Sequence, residues 1–354
     1  MENDMKGLNM IRKTFVLAAG LMALAAAPAQ SAEVTGAGAT FPAPVYAKWA
    51  EAYKAASGNA VNYQAIGSGG GIKQIKAKTV DFGASDDPVK PSDLKKWGFV
   101  QFPAVIGGIV PVLNVPGVNP GQLVLSGPVL GDIFRGAITK WNDAAIAKLN
   151  AGLKLPDTAI TLVYRSDSSG TTAVFTHYLA EVSASFKSDI GAGKTVNWKT
   201  GVGGKGNAGV AANVAKIAGS VGYVEYAYAK QNKLAHAALV NRDGKTVQPD
   251  DASFAAAAAK ADWKATPGFG VSLNNQAGDK AWPITSASFI LFQAVTEKPA
   301  NTFEALKFFD WALRKGQNLA AQLDYVPLPA NVVDMIQASW KADIKDKSGA
   351  LVWK

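Results

Sequence analysis

Apolar positions recur at helical spacing in some stretches of this chain and alternate in others, and the two patterns take turns from about Glu33 to the C-terminus. Val45, Trp49, Ala52, Tyr53 and Ala56 fall on one helical face, with Pro42 in the first turn and Thr40 placed to cap it. Val61 to Ile66 alternates as a strand, breaks at Gly67 to Gly71, and gives way to a short helix with Ile72, Ile75 and Lys76. Val80 to Ala84 reads as the next strand. This β-α-β rhythm predicts an α/β fold with a parallel sheet.

Further on, Val105 to Val115 is almost wholly apolar and reads as a buried strand. Ile160 to Tyr164 is another strand, and after it Thr172, Phe175, Tyr178, Leu179 and Val182 share one helical face. Later predicted elements are a helix through Ala211 to Ile217, a strand Val221 to Tyr226 and an Ala-rich helix from Phe254 to Ala261. A strand Ser288 to Val295 and helices from Thr302 to about Arg314 and from Ala330 to about Ala342 complete the chain. Two groups of elements, one before Val105 and one around Ile160, suggest two α/β domains facing each other across a cleft. Ligands of open α/β sheets sit beyond the carboxyl ends of strands, next to helix N-termini, so a ligand here would bridge the two.

The first residues change the picture of where the protein works. Lys6, Arg12 and Lys13 precede the apolar run Phe15 to Ala27, and small residues follow through Ala32. The run is too short and too rich in Ala for a membrane span, so residues 1–32 are expected to be an export signal cleaved between Ala29 and Ala32. The chain has no cysteine, which excludes disulfides, thiolate chemistry and a lipid-bearing N-terminal Cys. A soluble, exported protein without a lipid anchor fits a bacterial periplasm. The formal charge of +9 becomes +8 without the signal, which holds three positive and two negative residues. The basic residues are scattered and not interleaved with aromatics, so the balance reads as a mild bias toward anions, not as nucleic-acid binding.

Four short segments are built to hold an oxyanion on backbone amides and hydroxyls: Thr40 to Pro42, Ser68 to Gly71, Ser85-Asp86 and Arg165 to Thr171. Three of them open into helices, where unpaired N–H groups and the helix dipole favour negative charge. In the Ser68 segment, glycines let backbone approach an anion closely, although strand-to-helix loops also use glycine for purely geometric reasons. The segment from Arg165 combines a guanidinium fork, hydroxyls and a helix N-terminus within seven residues, and Asp167 is placed to orient the fork. Asp86 alone is ordinary turn chemistry in Ser85-Asp86-Asp87-Pro88. Beside an anion it is informative, because a carboxylate repels the anion unless the anion has a proton to donate. Such a site prefers protonated phosphate to sulfate.

Other motifs weaken on inspection. Gly201 to Gly206 satisfies the dinucleotide glycine spacing with Glu225 further on, but Thr195 to Thr200 before it is a poor buried strand. Gly191 to Thr195 imitates the end of a nucleoside-triphosphate loop, but Ser188 replaces its first glycine. With only His177 and His236, no Cys and no dense His/carboxylate cluster, a catalytic zinc or a two-metal site is not expected. Ser168 and Ser169 lack the glycine flanks of a hydrolase nucleophile elbow. No cofactor and no enzymatic activity are therefore expected.

The segments Thr35 to Pro42, Gly67 to Gly71, Phe82 to Asp86 and Arg165 to Thr171 resemble the ligand segments of the periplasmic phosphate-binding proteins of Pst-type ABC transporters, members of the type II periplasmic-binding-protein family. Gly131 to Phe134, Trp141 to Asp143, Gly201 to Asn207, Gly222 to Tyr226 and Phe308 to Trp311 extend the resemblance over nearly the whole chain after Val34. It implies a two-lobed, hinged, monomeric protein that closes over one dehydrated phosphate and delivers it to a membrane permease driven by an ATPase. It assigns phosphate contacts to Ala39, Thr40, Phe41, Ser68, Asp86, Arg165, Ser169, Gly170 and Thr171, with Asp167 holding the arginine. It also implies one lobe of residues 33–103 plus 286–354 and another of residues 104–285, with hinge crossings near Pro103 to Ile106 and Pro283 to Ser286. The rivals are an exported phosphoester hydrolase with the same cradle, and a sulfate or molybdate binder of the same architecture.

Overall fold

The computed structural model describes residues 33–354, so the expected export signal lies outside the described residues. A nine-stranded sheet runs through it. At one end, strand Glu33–Gly38 lies parallel to Ala60–Ala65 on one side and to Phe82–Ser85 on the other. At the opposite end, Thr161–Arg165 lies parallel to Ser220–Glu225 and to Val202–Gly204. Between these parallel wings stand two long antiparallel strands, Thr285–Gln293 and Phe99–Asn114. The α/β expectation holds, with this antiparallel centre added to it.

Strand Phe99–Asn114 joins the wings. Its residues 99–108 pair with Thr285–Gln293, and from Ile109 to Asn114 it pairs with Ser220–Glu225 instead. Near-continuous burial of this strand explains its unbroken apolar sequence, since both faces are covered. Each wing packs its own aromatic cluster. Phe82, Phe102, Phe292 and Phe309 meet on one side, joined by Trp340 against Phe102. Phe134, Phe175, Trp198 and Tyr223 meet on the other, with Phe175 stacked on Tyr223 at 4.2 Å between centroids.

Helix Ala43–Ser57 shows how local pattern becomes packing. Its buried residues are Val45, Tyr46, Trp49 and Tyr53, which share one face at helical spacing. The Trp49 indole donates to the Gly316 carbonyl at 2.8 Å, so the largest side chain on that face is both buried and satisfied. Gly58 ends the helix at φ 79°, returning its N–H to Lys54. Among the described residues no helix is long and apolar enough to cross a membrane.

Candidate functional site

Four strand ends deliver the anion-type segments to one place. The strand Glu33–Gly38 leads into Ala39 to Pro42, and its parallel neighbours Ala60–Ala65 and Phe82–Ser85 lead into Gly67-Ser68 and Asp86. From the other wing, Thr161–Arg165 leads through Ser169 into helix Gly170–Val182. Parallel pairing puts like ends together within each wing. The wings then meet through hydrogen bonds between residues far apart in sequence.

Ser68 Oγ accepts from the Gly170 amide at 3.1 Å and from the Asp86 amide at 3.3 Å. A Cβ at residue 170 would stand 2.4 Å from that oxygen and 2.8 Å from the Asp86 nitrogen, so only glycine allows this approach. The Arg165 guanidinium donates to both Asp167 oxygens, at 2.8 and 2.5 Å, and its third edge donates to Thr171 Oγ1 at 3.2 Å. Thr171 in turn donates to Asp86 Oδ2 at 3.3 Å, and Ser288 donates to Asp86 Oδ1 at 3.1 Å. Ser169 caps its helix by accepting from the Thr172 amide. Thr40, Phe41, Ser68, Asp86, Arg165, Ser169 and Thr171 are all buried.

Thr40 departs from its expected role. The helix starts at Ala43 with Pro42 before it, and no side chain caps it. Thr40 Oγ1 accepts instead from the Asn207 amide at 3.1 Å and from Asn207 Nδ2 at 2.8 Å. Asn207 was not among the expected site residues, yet Nδ2 also lies 3.2 Å from Thr171 Oγ1, and Oδ1 accepts from the Glu225 amide at 2.9 Å. The available signal was its place as the second residue of a helix that follows strand Val202–Gly204, directly after the glycine segment set aside above. Gly206 of that segment donates to Asp167 at 3.0 Å. Ser288 carried no local signal, because it lies in mid-strand 202 residues from Asp86.

The charges are arranged unusually for an anion site. Burial raises the Asp86 carboxyl from the ordinary aspartate value of 3.8 to about 7, although Arg165, Ser288 and Thr171 all pull the other way. Asp167 is partly buried too, but the Arg165 hydrogen bonds and charge outweigh this and hold it below the usual carboxylate range. Asp87 pairs with Lys194 at the rim of the cluster. Glu225 is fully buried, and burial pushes its carboxyl well above the usual range. Tyr325 stands 2.7 Å from Glu225 Oε2 and 2.6 Å from the Phe41 carbonyl. One hydroxyl hydrogen serves only one of two acceptors, so both contacts are satisfied when Glu225 itself holds a proton.

Direct bonds tie the residues of the cluster to one another across the two wings. A cavity of about 320 Å³ lies beside it, lined by Asp87, His177, Glu181 and Ser286 but by none of the expected ligand residues. Another of about 480 Å³ lies among Phe303, Leu351 and Trp353, away from those residues. Among the described residues no group of three or more His, Asp or Glu could hold a metal ion. The chemistry on offer is recognition of a small anion by fixed dipoles, one paired cation and one carboxyl that holds or accepts a proton.

Residues 24–315 match the model of the PBP superfamily domain. The phosphate-binding protein PstS of Pasteurella multocida is 56% identical over 342 residues, covering 97% of this chain and 99% of that protein. PstS of Haemophilus influenzae is also 56% identical, over 90% of this chain and 95% of its own length. Among solved structures, a high affinity periplasmic phosphate-binding protein (PfluDING) bound with phosphate superposes with a TM-score of 0.69 at 20% identity, covering 90% of this chain and 96% of that one. A putative phosphate ABC transporter substrate-binding protein from Clostridium perfringens gives 0.62 at 18% identity, over 84% of this chain and all of that one. At such identities the structural likeness speaks for the fold, which is the two-lobed periplasmic-binding-protein fold.

Proposed function

The chain belongs to the PstS phosphate-binding proteins of the PBP superfamily, and from that premise we propose that it captures inorganic phosphate in the periplasm and hands it to an ABC-type importer. It is a binding protein and not an enzyme. The observation that carries the ligand assignment is Asp86, a buried carboxyl set among Ser68, Arg165 and Thr171.

In this reading the ligand is held by the segment Ala39 to Phe41, by Ser68, Asp86, Arg165 and Ser169, by the Gly170 amide and by Thr171. Arg165 is the one full cation among them, and Asp167 largely offsets it. Affinity therefore rests on many short hydrogen bonds from groups already fixed by the fold, each strengthened by exclusion of water. Asp86 accepts the phosphate proton. Fully ionised sulfate has none to offer and leaves two buried acceptors facing each other.

The two lobes, residues 33–103 with 286–354 and residues 104–285, close over the ion about the paired strands Phe99–Asn114 and Thr285–Gln293. The change of partner at Gly108 to Ile109 supports a crossing in this region. The protein works as an exported monomer, and its partners are the permease and ATPase of the importer. Calorimetry on the chain from residue 33 tests the ligand: phosphate is expected to bind far more tightly than sulfate, and comparable affinities would sink the assignment. Turnover of a chromogenic phosphate ester by metal-supplemented protein would instead revive the hydrolase reading.

A further inference from the structure

Three consecutive carbonyl oxygens each accept a tyrosine hydroxyl. Tyr63 donates to Ala39 at 2.7 Å, Tyr228 to Thr40 at 2.6 Å and Tyr325 to Phe41 at 2.6 Å. The three side chains come from separate parts of the chain: strand Ala60–Ala65, helix Tyr226–Gln231 and the segment just before Val326. Burial pushes each phenol above its ordinary range, so all three remain neutral donors.

A trans peptide points its C=O and N–H to opposite sides of the chain. Fixing the Ala39 carbonyl therefore aims the Thr40 N–H away from Tyr63, and fixing the Thr40 carbonyl aims the Phe41 N–H away from Tyr228. Among the described residues neither of these two amides donates to a protein acceptor, although both residues are buried. Two adjacent buried donors without a partner point to a ligand acceptor. The Phe41 carbonyl precedes Pro42, which has no N–H, so Tyr325 anchors the turn without aiming a donor.

We propose that Tyr228 is a positioning residue for the bound anion: it clamps the Thr40–Phe41 peptide so that the Phe41 amide faces the ligand. The proposal rests on the phosphate reading and extends it. Tyr63 and Tyr325 belong to the same lobe as the turn they hold, but Tyr228 reaches it from the other lobe. Its bond therefore ties the aim of one ligand donor to closure, and the hydrogen bond on the carbonyl polarises the peptide and strengthens its N–H as a donor.

The test is Tyr228→Phe, which keeps the ring and removes the hydroxyl, with Tyr63→Phe beside it. With inorganic phosphate, Y228F is expected to bind about tenfold more weakly, mostly through faster release, as the Thr40 carbonyl loses its short bond from the other lobe and keeps only the Ala43 amide at 3.3 Å. In amide NMR spectra the Phe41 proton should shift on adding phosphate to the parent, and the shift should shrink in Y228F. Y63F should instead move the Thr40 amide. Parent-like affinity and an unchanged Phe41 shift in Y228F would overturn the proposal. So would a parent Phe41 amide that ignores saturating phosphate, a result that needs no variant to fold. A parent that binds no phosphate would sink the underlying ligand assignment.

Discussion

Replacing Asp86 with Asn keeps the shape of the side chain and removes its titration. Burial raises this carboxyl from 3.8 to about 7. At about 1.4 kcal/mol for each unit of pKa, the folded arrangement disfavours the ionised form by roughly 4 kcal/mol. Because the folded value is the higher one, this penalty is absent below about pH 3.8, grows as the pH rises between the two values and is felt in full above about 7, so stability is lost as pH rises through that range. Phosphate relieves the penalty by giving the carboxylate a hydrogen. Sulfate does not, and it is admitted only when Asp86 carries the proton itself. Its apparent affinity should then follow the protonated fraction, nearly complete at pH 5 and about one in eleven at pH 8, a fall of about tenfold. In D86N the amide donates at every pH, so sulfate should bind more tightly than to the parent at pH 8 and show no such fall, while phosphate loses less than sulfate gains. Calorimetry with both anions from pH 5 to 8 reads all of this. A flat sulfate profile in the parent, or a D86N variant that rejects sulfate as strongly as the parent, would refute the proton-acceptor role.

Arg165→Ala removes the paired cation and leaves Asp167 and Asp86 without it, so phosphate and sulfate should both weaken by on the order of a hundredfold with their ratio little changed; a selective loss of phosphate alone would contradict this. Gly170→Ala places a Cβ 2.4 Å from Ser68 Oγ and 2.8 Å from the Asp86 nitrogen. It should hold the wings apart, so X-ray scattering of phosphate-saturated protein should show a larger radius of gyration than the parent, with calorimetry reporting weaker binding.

Much of the fold was legible in the sequence because its signals are local. The helix carrying Trp49 and Tyr53 and the strand ending at Arg165 both follow from spacings of a few residues. The expected buried strand from Val105 proved longer, Phe99–Asn114, because the polar Gln101 is buried within it, donating to Gly268 and accepting from Val89. Its change of partner at Gly108 to Ile109 left no mark in the apolar pattern, since the strand is buried on both sides of that point and backbone pairing does not select side chains. Thr40 was assigned a helix cap from its place at the start of the helical spacing, but its side chain bonds to Asn207, 167 residues away.

By itself the sequence determined the alternation of strands and helices, the strand ends where an anion would be met, the residue types able to hold it and, through resemblance, the family. Each depends on neighbours within a turn or on motif order. Only the tertiary structure decided that Asp86 is buried, that Thr171 and Ser288 reach its two oxygens from 85 and 202 residues away, and that three tyrosines hold one turn. Those outcomes depend on which surfaces exclude water together. Desolvation, the largest influence on Asp86, is a property of the packed whole and of no single segment.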